Sequence, residues 1–254
     1  MGIQSTVPLA SRGILRAVFA GPVRGLRSPR EPGGESTSWR SAILKAAVGS
    51  AEVRALGLVG DAQKEKKHHG GPQKAVLVYG AAHYPALWDA VLRPHAVQHA
   101  EALRAMSSDV DASVYTFGAF GENLTIDGLT EATVCLGDIW RIGSCELQIT
   151  EPRGPCGTLT RRWLRPALLG MIHATAAAGW YNAVRRDGAV GAGDEAVLVE
   201  RVQDEWTMQR VYHIENDRIV SRRDVIALRD APFASDGVRR SMERRLTVPT
   251  RLGD

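Results

Sequence analysis

Residues 138–152 read DIWRIGSCELQITEP, and this stretch decides the fold class. Two runs rich in apolar residues, IWRI and CELQIT, flank the pair Gly143-Ser144, a pattern typical of two short strands joined by a tight turn. Other short strand-like runs occur along the chain, at residues 14–20 (ILRAVFA), 42–48 (AILKAAV), 74–80 (KAVLVYG), 179–188 and 194–202.

Few helical patterns alternate with these strands. Residues 81–106 have helical spacing broken near Pro94, and residues 159–177 also indicate a helix. This order favours a mainly β fold with helical insertions, a barrel or closed sheet, over a doubly wound α/β fold. Residues 26–40, rich in Pro, Gly, Ser and charge, indicate a surface loop.

The character of the sequence changes after Val202. Three short amphipathic segments, DEWTMQRVYHI, SRRDVIALRD and SDGVRRSMERRL, follow one another. We therefore predict a β domain over residues 1–202 and a small three-helix appendix over residues 203–254.

Composition narrows the class of protein. The chain has 254 residues, 44% of them hydrophobic, and no apolar run long enough to cross a bilayer. Its three cysteines form no CxxC pair, which argues against a disulfide framework or structural zinc site and favours a reducing cytoplasm. Residues 1–30 contain five arginines and no acid, as a transit peptide does, but ILRAVFA also fits a strand.

The charge pattern does not indicate a nucleic-acid partner. The net charge is +4, and only five of the 32 basic residues are lysines. The arginines are scattered, without a basic patch interleaved with aromatics, so we expect no nucleic-acid partner. The nucleotide-binding fingerprints GxGxxG and GxxxxGK[ST] are absent, as is GxSxG.

Two loops carry candidate anion-binding residues. In KKHHGGPQKAVLVY (66–79), Gly70 and Gly71 can expose backbone N–H groups to an anion, and His69 and Lys74 can add donors. A plain tight turn leading into a strand would give the same pattern.

The second candidate loop is FGAFGENLTIDGL (117–129). Glu122 and Asn123 follow a glycine there and could reach into a cleft, or serve the turn alone.

The stretch ITEPRGPCGTL (149–159) presents a thiol on a stiff turn. Cys156 lies between Pro155 and Gly157, and Arg153 precedes it by three residues. A thiol beside a cation on an exposed bend is typical of one kept as thiolate, for attack or for metal binding. A loop cysteine without a role remains the alternative at this point. Cys135 and Cys145 stand in strand-like runs and are expected to be packing residues.

Taken in register, these motifs resemble one family. The order GD, HHGG, KAVLVY, HYPALW, FGENLTIDGLTEATVCLGDIWRIG, PRGPC and GWY is similar to the MOSC domain, and most similar to its YiiM-like subgroup with a three-helix extension. The resemblance covers residues from about 15 to about 202. It places residues 14–20 in the barrel rather than in a leader and makes residues 26–40 an insertion.

The resemblance implies a β-barrel-like fold holding a molybdenum-pterin cofactor. Cys156 would be the catalytic residue and the molybdenum ligand, and His69, Gly70, Gly71, Lys74, Glu122, Asn123 and Arg153 would surround the cofactor. The implied activity is reduction of N-hydroxylated compounds such as hydroxylaminopurines. Because no flavin, NAD or iron–sulfur motif is present, a separate electron-donating reductase is expected. The family also carries an association with pyridoxal phosphate, and a homodimer is left open.

The chain departs from the subgroup's pattern at three places. The chain has Gly157-Thr158 where the subgroup often has Tyr-Lys, Gln73 where an acid is expected, and alanines at 176–178 where an arginine is expected. These departures concern the substrate pocket more than the fold. The alternative function is a non-catalytic cofactor or sulfur carrier with a persulfide on Cys156.

Overall fold

The computed structural model describes residues 8–28, 37–64, 70–89, 93, 99–154, 156–248 and 252–253. The strands are β1 (Arg12–Ala20), β2 (Arg24–Arg27), β3 (Ser38–Ser41), β4 (Ala46–Val48), β5 (Ser50–Arg54), β6 (Gly57–Leu58), β7 (Val76–Gly80), β8 (Leu124–Asp127), β9 (Ile139–Ile142), β10 (Cys145–Pro152), β11 (Trp180–Arg186), β12 (Gly188–Gly191), β13 (Glu195–Glu200), β14 (Val220–Ser221) and β15 (Leu252–Gly253). The helices are α1 (His83–Leu87), α2 (Ala100–Arg104), α3 (Gly157–Trp163), α4 (Ala167–Thr175), α5 (Met208–Asn216), α6 (Arg222–Arg229) and α7 (Asp236–Leu246), with a short 3₁₀ turn at Pro72–Lys74.

Seven strands form a closed barrel. They run in the order β13-β9-β10-β11-β7-β8-β1, and the first residues of β1, Arg12 to Ile14, pair with β13 to close the barrel. Closure leaves none of these seven strands at a free edge, which is how barrels avoid unpaired backbone groups. The prediction of a mainly β, barrel-like fold with helical additions is confirmed.

The predicted hairpin at residues 138–152 is confirmed as β9 and β10. Ile142 pairs with Cys145 across the turn, and Gly143 has φ 55. A Cβ at Gly143 would lie 2.3 Å from the carbonyl oxygen of Ala189. Glycine is therefore required here both by its left-handed backbone and by the close approach of β12.

The barrel contains one parallel pair, β7 with β8. Parallel neighbours need a long crossover connection. The connection spans residues 81–123, and its described part includes α1 and α2, which lie outside the sheet. The helix break predicted near Pro94 lies outside the described residues. All five residues of β7 are buried, as expected for a strand covered on both faces.

Three sequence predictions were wrong in detail. The loop predicted at 26–40 is strand at both ends, because β2 and β3 pair and set Leu26 opposite Trp39. The strand predicted at 42–48 is limited to Ala46–Val48, since Ile43 and Leu44 are buried in a bend instead. Cys135 makes only an isolated bridge with Thr207, outside any strand.

The helix predicted over 159–177 is two helices. Leu164 ends α3 with φ 54, and Pro166 begins α4. Proline lacks the N–H of the helical ladder and disfavours helical geometry in the residue before it, so the helix breaks there.

The three C-terminal helices are confirmed. Thr207, Ser221 and Ser235 cap α5, α6 and α7, each accepting a hydrogen bond from the backbone N–H three residues ahead. Most of their buried residues, among them Val211 and Val238, belong to the same apolar core as the barrel strands, and Tyr212 belongs to a second apolar cluster. The boundary at 202 stays a prediction. Within the described ranges, no helix combines the length and apolar character needed to cross a membrane.

Candidate functional site

A cavity of about 210 Å³ opens where the end of β10 leads into α3. Its wall is strongly cationic. The charged and aromatic residues that line it are Trp39, Arg40, Lys45, Asp61, Lys64, Lys74, Arg153, Arg161 and Tyr181, together with the thiol of Cys156 and with Asn123 and Thr158. Of the predicted site residues, the structure brings Lys74, Asn123, Arg153 and Cys156 to this cavity.

Cys156 occupies the junction between an extended segment and a helix. It is half-buried, has extended backbone angles and occupies the position just before the first residue of α3. Burial raises the pKa of its thiol. The charge of Arg153, and hydrogen bonds from the N–H groups of Leu159 and Thr158 and from the Thr158 side chain, lower that pKa by more. The net pKa of Cys156 therefore lies below the ordinary thiol value. The bend therefore favours a thiolate at the cavity wall.

Arg153 is the buried cation behind this thiolate. The residue is 6% exposed, and its Nη1 donates to the carbonyl oxygen of Phe120 at 2.6 Å. Burial lowers the pKa of Arg153, but the charge of Cys156 and a hydrogen bond to it outweigh that effect, and the net pKa is raised. Its Nε is buried and has no hydrogen-bond partner among the described residues. One donor of a buried guanidinium thus stays unused.

A buried ion pair forms another part of the wall. Lys45 pairs with Asp61, and the side chains are 6% and 2% exposed. The second carboxylate oxygen of Asp61 accepts from Asn123 Nδ2 at 2.9 Å, and Asn123 Oδ1 accepts from the N–H of Leu77 at 3.1 Å. Asn123 is therefore fixed by β7 and orients the ion pair. Burial lowers the pKa of Lys45 even though Asp61 opposes the shift.

Lys74 connects the cavity to the C-terminal helices. Its ammonium pairs with Glu151 and lies 5.4 Å from the ring centre of Tyr181. The other carboxylate oxygen of Glu151 accepts from the hydroxyl of Ser235, the residue that caps α7. Burial raises the pKa of Tyr181 to about 12, so its phenol remains protonated at neutral pH.

Glu122 lies behind the cavity rather than in its wall. It is fully buried, and its carboxylate accepts from the hydroxyls of Tyr84 and Thr125 and from the N–H groups of Gly118 and Phe120. These bonds fold the 117–125 loop onto the barrel. The structure gives this carboxylate to the loop, one of the two readings that the sequence left open.

The Gly-Gly turn is only partly described. His69 lies outside the described residues. Gly70 and Gly71 have φ 150 and 86 and precede the 3₁₀ turn that carries Lys74, and neither contributes to the cavity wall. The turn therefore places Lys74, and no described contact brings the two glycines to the cavity.

The other two cysteines are distinct from Cys156. Cys135 and Cys145 are fully buried, and burial raises the pKa of each thiol to about 12. Both thiols are therefore neutral at physiological pH. Their burial agrees with the expectation that they are packing residues.

Of the three departures from the family pattern, one changes the cavity. Thr158 lies in its wall, next to Cys156. Gln73 accepts a hydrogen bond from the N–H of Asp236 at 3.1 Å, and the alanines at 176–178 are buried. Among these three departures, Gly157-Thr158 is therefore the one that borders the cavity.

Sequence reasoning missed several residues of the wall. Asp61 and Tyr181 stand within the GD and GWY motifs but were not assigned to the site. Trp39, Lys45 and Arg161 carry no local signal. Trp39 is placed by β3, Lys45 by the bend before β4, and Arg161 by α3.

Comparison with known proteins identifies the family. The MOSC domain family model matches residues 65–197. The chain therefore belongs to the MOSC domain family. The matched residues include the bend that carries Cys156.

Three relatives show how far the similarity extends. Protein YiiM of Escherichia coli K12 is 37% identical over 165 residues, covering 65% of this chain and 66% of that protein. A protein named Reductase from Gibberella moniliformis is 33% identical over 218 residues, covering 85% of this chain and 34% of its own. The crystal structure of YiiM from Geobacillus stearothermophilus is 26% identical, with a TM-score of 0.66, covering 92% of this chain and 99% of that one. The chain spans less than two thirds of the two sequence relatives.

Proposed function

We propose that the protein is a molybdenum-cofactor-dependent oxidoreductase that reduces N-hydroxylated compounds, with Cys156 as the protein ligand to molybdenum. The observation that carries this proposal is a thiol with a lowered pKa in a cation-lined cavity. Thiolates are the protein ligands that soft, redox-active metals prefer. Membership of the MOSC family and a relative named Reductase support the coarser statement, an oxidoreductase.

The donor set fits a metal that arrives already bound in a cofactor. Within the described residues, no group of three or more His, Cys, Asp or Glu side chains is placed to hold a metal ion. A metal at Cys156 would therefore have to bring its other ligands with it. The unused Nε of Arg153 and the lysines 45 and 74 offer donors for an anionic group such as the phosphate of the pterin.

The size of the cavity limits how much of a cofactor it encloses. Its volume of about 210 Å³ is below the roughly 300 Å³ of small ligand pockets. It therefore fits the reacting end of a molybdenum-pterin cofactor together with a small substrate group. The remainder of such a cofactor would extend past the exposed residues of the rim.

The residues of this chain have separate tasks in the proposed reaction. Reduction of R–NHOH to R–NH₂ consumes two electrons and two protons and releases water. The cofactor, when bound, supplies two-electron redox chemistry. Cys156 Sγ would bind the metal, Arg153 would keep that sulfur deprotonated, and the phenol of Tyr181 would remain a protonated group in the cavity wall.

The electrons require a partner. The sequence carries no flavin, NAD or iron–sulfur motif, so we propose a separate reductase as donor. Several statements stay predictions: the identity of this partner, the absence of a nucleic-acid partner, a homodimer, a cytoplasmic location and an association with pyridoxal phosphate.

The test begins with metal analysis of the protein produced in a host that makes the cofactor. We expect about one molybdenum per chain and reduction of a hydroxylaminopurine by the loaded protein with an artificial electron donor. Cys156→Ser should lose both metal and reduction, whereas Cys135→Ser and Cys145→Ser should keep both. A loaded protein inactive on every N-hydroxylated compound tried would refute the enzyme assignment. Loss of metal in Cys145→Ser alone would refute the ligand assignment.

The carrier alternative rests on the same thiolate. A sulfur carrier would hold a persulfide on Cys156 and would turn nothing over. Mass spectrometry of the intact chain separates the two cases. A gain of one sulfur on Cys156, with no molybdenum bound, would favour the carrier over the reductase.

A further inference from the structure

The cations of the cavity fall into two sets. Lys45 pairs with Asp61, Lys74 pairs with Glu151, and Arg153 faces the Cys156 thiolate. These three inner cations are therefore each balanced by an anionic group of this chain.

The outer set consists of the exposed residues Arg40, Lys64 and Arg161, which also line the cavity. Neither of the two arginines forms an ion pair with a described residue. The mouth of the cavity thus carries positive charge that the described part of the chain does not neutralise.

Arg161 is held in place at this mouth. It lies three residues after Thr158 in α3, so the two side chains share the face of the helix that borders the cavity. Its guanidinium lies 5.2 Å from the ring centre of Trp39. The next residue, Arg162, is 3% exposed and donates to the carbonyl oxygen of Ala112 on the opposite side.

Trp39 is supplied by the β2–β3 hairpin. Its partner in the register, Leu26, is 1% exposed and anchors the hairpin in an apolar cluster. A guanidinium stacked on an anchored aromatic ring loses less freedom when it binds an anion, and it retains its edge for bidentate hydrogen bonds.

We infer that Arg161, positioned by Trp39 and assisted by Arg40, binds the phosphate of a phosphorylated substrate, so that the preferred substrates are N-hydroxylated nucleotides rather than free bases or nucleosides. This inference rests on the proposed function. A nucleotide presents a planar N-hydroxylated base at one end and a phosphate at the other. Its small N–OH group would enter the cavity toward the thiolate, while its phosphate would stay at the mouth beside Arg161. Arginine is the side chain best suited to bidentate phosphate recognition.

The deciding measurement is equilibrium binding to the cofactor-loaded protein. The probes are N4-hydroxycytidine and its 5′-monophosphate, compared by calorimetric titration. The wild-type protein should bind the monophosphate about tenfold or more tightly than the nucleoside, as expected for hydrogen bonds to a charged group. Arg161→Ala should bring this ratio near one, Arg161→Lys should retain part of it, and Trp39→Leu should reduce it.

Arg223→Ala is the matched control. Arg223 is an exposed arginine of α6 outside the cavity, so its replacement removes the same charge without touching the mouth. We expect this variant to keep the wild-type ratio.

Two results would overturn the inference. One is equal binding of the two probes by the wild-type protein. The other is an unchanged ratio in Arg161→Ala. If that variant also carries less molybdenum and less cofactor phosphate per chain, Arg161 belongs to the cofactor's phosphate instead. Turnover is judged separately: absence of reduction with a phosphate-dependent ratio intact would count against the proposed function and not against this site.

Discussion

Replacing Lys45 by methionine tests the buried ion pair in the cavity wall. Methionine keeps the length of the apolar stem and removes the charge, so Asp61 would be left as a buried carboxylate without its cation. Removing one partner of a buried pair typically costs about 3–5 kcal/mol of unfolding free energy. Asp61 would keep hydrogen bonds from the N–H of Gly21 at 3.1 Å and from Asn123 at 2.9 Å. We therefore expect the lower end, about 3 kcal/mol.

The double variant Lys45→Met/Asp61→Asn separates lost attraction from an unpaired charge. An amide at position 61 can still accept one of these hydrogen bonds but carries no charge that needs a partner. The double variant should therefore be more stable than Lys45→Met alone, because a buried pair contributes less than the cost of breaking it.

Urea unfolding followed by circular dichroism measures these differences. A loss of about 3 kcal/mol corresponds to a midpoint lowered by about 1 M or more for slopes of about 1–3 kcal/mol per M. Since burial lowers the pKa of Lys45, the unfolded chain binds more protons between that pKa and 10.5, and wild-type stability should rise with pH there. Lys45→Met should lack this rise. A loss below about 1 kcal/mol, or a double variant as unstable as the single one, would refute the reasoning.

Further predictions concern three other positions. Burial raises the pKa of Glu215 to about 7, so between pH 4.5 and 7 the folded chain holds a proton that the unfolded chain has lost. The free energy of unfolding should therefore fall by about 3 kcal/mol as pH rises across this range. Thermal unfolding scans of Glu215→Gln should not show this fall. Iodoacetamide should alkylate Cys156 first in the native protein, and Arg153→Met should slow this reaction at neutral pH because the thiol pKa rises; equal rates in both proteins would contradict it. Gly179 has φ 81, and a Cβ there would lie 2.5 Å from the carbonyl oxygen of Val78. Gly179→Ala should therefore lower the free energy of unfolding by more than about 2 kcal/mol in urea. An unfolding free energy equal to that of the wild type within error would contradict this prediction.

The barrel was predictable where local patterns and tertiary packing agree. The β9–β10 hairpin has its glycine at the turn and its apolar runs on both sides, so sequence and structure coincide. The C-terminal helices were predictable for the same reason, because serine or threonine caps precede each amphipathic segment. The β2–β3 hairpin was missed because Leu26 and Trp39 stand alone among polar residues, and only their burial against a distant cluster makes strands of them.

The site was predictable only where one short segment supplies it. Arg153 and Cys156 lie three residues apart on a stiff bend, so their proximity follows from the sequence. Lys45 and Asp61 are separated by 16 positions, and tertiary contacts hold Asp61 in place through hydrogen bonds from Asn123 and from the N–H of Gly21. Adjacency in sequence can also mislead. Glu122 precedes Asn123, but its carboxylate binds its own loop and does not line the cavity.

The carboxylate of Glu151 links the cavity to the C-terminal helices. One of its oxygens pairs with Lys74, and the other accepts a hydrogen bond from Ser235 at the start of α7. A surface substitution that displaces α7 would leave Glu151 free to shift, and Lys74 with it. Divergence in the C-terminal helices can thus retune how strongly the cavity attracts anions while every residue of its lining stays the same. Selection for altered ligand preference could act on these helices, and comparison of the linings alone would overlook it.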